Sequence, residues 1–556
     1  MTSAPRATTD VDRLADEFVD RSVALNPVLA TYLGVAGAHD ALPDLSPDGL
    51  TTASDLRRET LRRLETAVPA DRQDRITIAA LRFELETDEA IRDLGDDLCD
   101  LDILESPQEG VRLAFDIMPT ESDDDWSTIA RRMAALPAAL DGFAASLRTA
   151  AVRGNTPARR QVAEVATRIA SNIGTDGFFA SLAARGPESL APDLRHGAQL
   201  ASGAYAQLQD FLRRELLPLA RTDDAFGRER YGVHLRRHLG ADVDLDETYA
   251  WGQEELARLS TEQAGVAARI SPGRSVKDVM AELDADPARQ LHGVDTLRGW
   301  MQERSDRAVE ELGRTHFDIP EPLRRLECMI APTQAGGVYY TGPSDDFSRP
   351  GRMWWSVPPG VETFSTWQEL TTIYHEGVPG HHLQIGTAVH NRESLNRWRR
   401  LMSGRSGHAE GWALYAERLM AELGYLDDPA DQLGMLDAQA MRAARVVLDV
   451  GVHCGLPMPE ISAHPGDAWT FEHAMEFFAA HSAWDEGNRT FEVLRYFGWP
   501  GQAPTYKLGE RLWLQLRADA GAAAGNSFDL KGFHRDALEL GGLPLDVLRD
   551  AVLGRL

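Results

Sequence analysis

The chain has 556 residues, 43% of them hydrophobic, which is ample material for a folded core and too much for a disordered chain. Its formal charge of −28, from 86 acidic against 58 basic residues, argues against nucleic acid or an anionic membrane as partner, since both demand a positive surface. No apolar run reaches the ~18 residues of a membrane span.

Met1-Thr-Ser-Ala-Pro-Arg6 leads into Asp10 without an apolar signal segment, so a cytoplasmic location is expected. Cys99, Cys328 and Cys454 are odd in number and far apart, which predicts neither a disulfide framework nor a cysteine-based zinc site.

Apolar spacing predicts helix after helix over the first ~270 residues. Thr9 or Asp10 caps a helix to about Leu25, with Leu14, Phe18 and Val23 on one face and Pro27 ending it. Further helices are expected over Asp71–Leu94, Trp126–Ala151, Arg159–Ile173, Leu194–Leu217 and Leu245–Ile270, with Pro192 and Pro218 bracketing the fifth of the six. Asp123-Asp124-Asp125 reads as a solvated helix start, where carboxylates suit the N-terminal dipole.

The texture changes between Arg324 and Val357. Leu326–Ile330, Gly337–Tyr340 and Arg352–Val357 are short, aromatic or β-branched, and predict a small sheet at about 324–357. Helical spacing resumes near Thr366 and runs to the end, broken by Pro429, Pro457-Met-Pro459, Pro465, Trp499-Pro-Gly501 and Gly541-Gly-Leu-Pro544. The expected fold is a mostly α body with a minor β-sheet inserted. Residues 1–270 form a helical N-terminal region and 271–556 carry the chemistry, the two making one continuous unit.

The segment that carries chemistry is His375-Glu376-Gly-Val-Pro379-Gly380-His381-His382. A His-Glu pair with a histidine one helical turn later is a zinc-hydrolase pattern, in which both imidazoles face one ion and the glutamate reaches its water. Here the later histidines stand at i+6 and i+7. On an unbroken helix His381 lies ~240° around the axis from His375, and His382 lies ~10 Å further along. Neither position serves one ion. Pro379 and Gly380 provide the remedy, because proline has no N–H for the carbonyl of His375 and glycine tolerates unusual backbone angles. A bulge that absorbs two residues gives His381 the i+4 place and sends His382 to flank the site, with His382 in place of His381 as the alternative.

The third ligand is sought on a following helix. Glu410, 29 residues after His381 (410 − 381), is the main candidate, with Gly411 beside it to permit close helix approach and His408 as its rival. Glu417 shares the face of Glu410 two turns on and is expected at the surface or behind a ligand.

His375–Gln384, Glu410-Gly-Trp-Ala-Leu-Tyr415-Ala-Glu417, Arg445–His453 and Pro500–Gly509 together resemble the signature of the bacterial domain-of-unknown-function family 885, as does Asn26–Gly34 near the start. The resemblance implies a large two-lobed helical body with a deep cleft, residues 1–270 forming one wall. That fold is similar to the Taq-type zinc carboxypeptidases and more distantly to neurolysin and angiotensin-converting enzyme. It favours His381 over His382. It also implies one Zn2+ per chain, with Glu376 as general base and Tyr506 or His453 as oxyanion donor. Asp449 is a candidate to orient a ligating imidazole, Arg352 to receive a substrate carboxylate from an edge strand, and Tyr415 to flank the ligands or substrate.

The expected activity is hydrolysis of short peptides or related amides by metal-activated water. The alternatives are a non-peptide amide hydrolase of a small-molecule pathway and a silent peptide-binding relative. Metal content and a peptide-library digest separate the three.

Overall fold

The computed structural model describes residues 6–331, 337–358 and 360–556. The reading of Met1–Pro5 lies outside them. The body is mostly helical.

Helix α1 (Asp10–Leu25) starts at Thr9, whose hydroxyl accepts from Asp12 N–H while the Asp12 carboxylate accepts from Thr9 N–H, and Pro27 opens the next helix. Helix α2 (Arg72–Asp93) is capped by Asp71. Helix α3 (Asp123–Val152) opens on its three aspartates behind a Ser122 cap and packs along α4 (Ala191–Phe211). Helix α5 is Leu245–Ile270 and α6, not foreseen from the sequence, is Val294–Thr315.

Strand β1 (Gln290–His292) pairs antiparallel with β5 (Thr363–Ser365). Between them, β2 (Leu326–Ile330), β3 (Val338–Thr341) and β4 (Gly351–Trp355) form a three-stranded sheet in the order β2-β4-β3. Strand β4 is therefore central, parallel to β2 and antiparallel to β3. The edge-strand expectation for Arg352–Val357 is corrected. Alternation buries Met353 and Trp355 and leaves Arg352 and Trp354 on the other face.

The chain then runs through α7 (Thr366–Glu376), α8 (His381–His390), α9 (Ser406–Glu422) and α10 (Pro429–Cys454). Helices α11 (Phe471–Ala480), α12 (Glu486–Gly498) and α13 (Thr505–Ala524) follow. Helix α10 is buried on nearly every side, with α5 and α7 among its neighbours, and encloses the polar Gln439, Arg445, Asp449 and His453.

Apolar burial divides into two cores, the basis of the two lobes. One is built from residues of α3, α4 and the short helices near them. The larger joins α1 and α2 to α5 and to most of the chain after residue 290. The cores do not part at residue 270, since helices before it pack against helices after it. No helix of the described residues is long and apolar enough to cross a membrane. The three cysteines are unpaired thiols.

Candidate metal centre

Helix α7 does not bulge at the motif; it ends, and α8 begins after a four-residue turn. Gly377-Val-Pro379-Gly380 forms the turn, with a cis bond before Pro379. Both glycines are needed by close approach. A Cβ on Gly380 would stand 1.8 Å from the carbonyl oxygen of His375, and one on Gly377 2.7 Å from that of Ile373. The restart places His381 beside His375, ring centroids 4.8 Å apart and nearly perpendicular.

Helix α9 brings Glu410 to the same point. Its Oε2 lies 3.3 Å from His375 Nε2 and 3.6 Å from His381 Nε2. These three residues form one of two groups among the described residues whose ligand atoms lie within 4.8 Å of one another. Two atoms each ~2.1 Å from a tetrahedral ion stand ~3.4 Å apart, whereas a direct histidine–carboxylate hydrogen bond spans ~2.7–2.9 Å. The observed separations match the first spacing. Glu410 Oε2 is enclosed and has no hydrogen-bond partner among the described residues, nor does Oε2 of Glu376. The donor set of two imidazoles and one carboxylate fits zinc.

Behind this cluster, Glu417 grips His375. Its Oε1 lies 2.8 Å from His375 Nδ1, Thr371 Oγ1 donates to its Oε2 at 2.7 Å, and Arg442 stands 3.7 Å away. An acceptor on Nδ1 puts the proton there and leaves the Nε2 lone pair for the ion. Glu417 is fully buried, so its surface reading is excluded. Its expected place behind a candidate ligand matches the contact with His375 Nδ1. The clue left unused was its shared face with Glu410, which lets the two carboxylates clasp opposite edges of one imidazole.

Charge links the three side chains. Burial disfavours the His375 cation, but contacts with Glu410 and Glu417 outweigh it and lift its pKa to about 9. Burial would raise the Glu410 pKa, yet the two histidines hold it well below the usual carboxylate range. Burial pushes Glu376 up against the opposing pull of His381 and His375. A raised carboxylate with an unpartnered oxygen beside the ligands has the form of a proton acceptor.

Tyr506 lies in the first turn of α13, as its flanking prolines predicted, and is half-buried. Arg445 packs over its ring at 4.8 Å and Arg442 at 5.9 Å. Burial and then the Glu410 charge raise its pKa, so the phenol keeps its proton. Gly411 does permit a close approach, but to α13 and not to the metal helices. A Cβ on it would stand 2.4 Å from the carbonyl carbon of Gly509.

Five candidates sit elsewhere. His382 is buried behind the turn, its Nε2 2.8 Å from the Leu323 carbonyl and its Nδ1 3.0 Å from the Tyr340 hydroxyl, and burial lowers its pKa to about 4. His453 bonds the Tyr496 carbonyl at 2.9 Å and stacks on Tyr231, 11 residues and so ~16 Å along α10 from Arg442. Asp449 orients no ligand; it accepts from the Tyr231 hydroxyl and the Gly501 N–H, at 2.8 and 2.9 Å. Tyr415 is a core residue whose hydroxyl meets His534 Nε2 at 2.7 Å. Arg352 is held by Glu327 of β2 at 2.9 Å. The rival ligand His408 faces Gln384 and Trp513 instead. Arg445 pairs with Glu492, at 2.8 Å, and not with Asp449.

The family described as "Bacterial protein of unknown function (DUF885)" matches the chain over residues 27–552. No curated protein matches it in sequence. Among solved structures, a candidate lipoprotein from Colwellia psychrerythraea is similar with a TM-score of 0.84 at 21% identity, over 98% of both chains. A candidate lipoprotein of unknown function from Shewanella oneidensis follows with a TM-score of 0.75 at 18% identity, over 98% of this chain and 100% of that one. At these identities the likeness is one of fold.

Proposed function

The chain belongs to the DUF885 family, and from that premise we propose that it is a zinc-dependent hydrolase, a peptidase acting on short peptides. The observation that carries the reading is the separation of Glu410 Oε2 from the two histidine nitrogens, 3.3 and 3.6 Å, with that oxygen enclosed and otherwise unpartnered. The proposal keeps the likeness to Taq-type zinc carboxypeptidases, and more distantly to neurolysin and angiotensin-converting enzyme, as its mechanistic analogy.

An ion held by His375, His381 and Glu410 supplies Lewis acidity, polarising a carbonyl and acidifying water. The chain's own residues do the rest. Glu376 accepts the proton of the attacking water and returns it to the leaving amine. Tyr506, protonated, donates its O–H to the oxyanion that develops on the substrate carbonyl. Glu417 holds His375 in one tautomer.

Zinc content and a peptide-library digest of the purified protein test the reading, together with Glu376→Gln. That variant keeps its shape and zinc but should lose turnover by about 10² or more. A zinc-loaded protein that cleaves small-molecule amides and no peptide would shift the substrate class. Near-normal turnover in zinc-loaded Glu376→Gln would reject the mechanism. The expected cytoplasmic location has a rival in the lipoprotein descriptions of the two similar structures. Cell fractionation decides between cytoplasm and envelope.

A further inference from the structure

Helix α7 turns a second face away from the metal centre, and a cavity of about 1020 Å³ lies against it. Thr371 and His375 face Glu417, whereas Leu370 and Tyr374, each one residue earlier, line the cavity. Its other walls come from α6, the loop at 423–425 and the first turn of α10. The two sites share a helix and no lining residue. Small-molecule sites typically occupy ~300–1,000 Å³, so this cavity has room for one.

Most charges on its walls are answered within the protein. Arg289 reaches Asp428 at 3.0 Å, Arg307 reaches Glu311 at 2.9 Å, and Arg314 reaches Glu310 at 3.1 Å. Two charged side chains are left over, one of each sign. Arg304 of α6 makes no hydrogen bond or ion pair with any described residue, and its Nε is enclosed. Asp431, in the first turn of α10, makes none either. The Arg304 charge reaches Asp431, yet the two do not close into a salt bridge.

The Tyr374 hydroxyl is a third open group. Tyr374 is only 5% exposed, and the charges of both Arg304 and Asp431 reach it, but its hydroxyl has no hydrogen-bond partner among the described residues. A buried phenol ordinarily finds one. Trp300 and Tyr425 add aromatic surface, the Tyr425 ring edge-on to Tyr374 with centroids 6.3 Å apart. An inorganic anion would satisfy Arg304 and leave Asp431 facing it; a metal cation would do the reverse. A ligand that carries both signs satisfies both, and the aromatic walls suit an apolar body.

We propose that this cavity binds a small zwitterion, a free α-amino acid or short peptide. Its carboxylate meets Arg304 and the Tyr374 hydroxyl, its ammonium meets Asp431, and its side chain lies against Trp300 and Tyr425. A guanidinium fork matches a carboxylate in two parallel hydrogen bonds. The half-buried Asp431, raised to about 6 chiefly by burial, gains from a cation beside it.

Calorimetric titration with L-phenylalanine and with glycyl-L-phenylalanine tests the proposal. The full chain carries His381→Ala/Glu410→Gln, which removes the metal centre and any turnover there. Saturable binding at one site per chain is expected, and the tighter probe shows which ligand length the cavity takes. N-Acetyl-L-phenylalanine lacks the ammonium and L-phenylalanine amide lacks the carboxylate, so each should bind roughly 10–100-fold more weakly. Arg304→Met should erase the difference between L-phenylalanine and its amide, and Asp431→Asn the difference between L-phenylalanine and its N-acetyl form. A purely structural role for either residue would shift the melting temperature and leave those differences standing. Asp431→Asn, equal in shape, keeps the test open should Arg304→Met fail to fold. Absence of binding by both probes would overturn the proposal, as would equal binding of the capped analogues or unchanged discrimination in the folded variants. Neither zinc nor hydrolysis enters the measurement, so failure of the hydrolase reading leaves its outcome untouched.

Discussion

The indole N–H of Trp412 donates to the carbonyl of Pro379 at 2.8 Å, with the Gly380 carbonyl 3.3 Å away. Trp412 stands two residues after Glu410, so the helix that brings Glu410 to the two histidines also fastens the turn between them. Trp412→Phe removes the donor, keeps most of the ring, and leaves the enclosed Pro379 carbonyl unsatisfied, while the Gly380 carbonyl keeps the Gln384 N–H. Stability should fall by about 1–3 kcal/mol, and zinc affinity should fall with it as the turn loosens. Urea unfolding and a competing-chelator titration measure the two. A variant with unchanged zinc affinity would show that the turn holds its shape without Trp412.

His381 and His382 should behave oppositely. His381→Ala should abolish zinc at this centre with little change in the stability of the metal-free protein. His382→Ala should keep zinc but lose about 1–3 kcal/mol, because the Leu323 carbonyl and Tyr340 hydroxyl lose their partner. Zinc lost from the second variant and kept by the first would reverse the assignment.

Tyr506→Phe should lower turnover by roughly 10–10³-fold with zinc content and thermal stability unchanged. A packed tyrosine with only a structural role gives the reverse result, a destabilised protein with full turnover per folded molecule. Measuring melting temperature and turnover on one preparation separates them.

The metal-free protein should lose stability as pH rises from about 6.5 to 9. His375 has a folded pKa of about 9 against 6.5 for a free imidazole. Its contribution is therefore fully present below the unfolded pKa and lost as pH passes through the folded one, an effect on the order of 3 kcal/mol. Asp449 and Glu369, both raised to about 7 by burial, charge in the same window but do so with or without zinc. The gap in melting temperature between zinc-loaded and metal-free protein should therefore widen from pH 6.5 to 9. A constant gap would mean that His375 is not protonated in the metal-free state.

The meeting of His375 and His381 was legible because sequence spacing alone rules out an unbroken helix and names the residues that break it. The form of the break was not legible, since a turn held by Trp412 depends on a contact 33 residues away in the chain. His453, Asp449 and Tyr415 were misplaced for a related reason. Each lies on a helix buried on several sides, where periodicity gives no inward face and the partner is chosen by packing. The pair β1 and β5 is three residues long in each strand, too short for any alternation to register. The helix-start position of Tyr506 was legible because prolines mark where its helix begins.

Gly411 and Gly509 meet backbone to backbone, and each adjoins a working residue: Glu410 directly, Tyr506 one turn earlier on α13. The clearance between ligand and phenol is thus set by main-chain atoms, which cannot change rotamer or shorten by mutation. Side chains elsewhere in the body can drift in size without altering that gap. A single methyl at either glycine would wedge the two helices apart and open it.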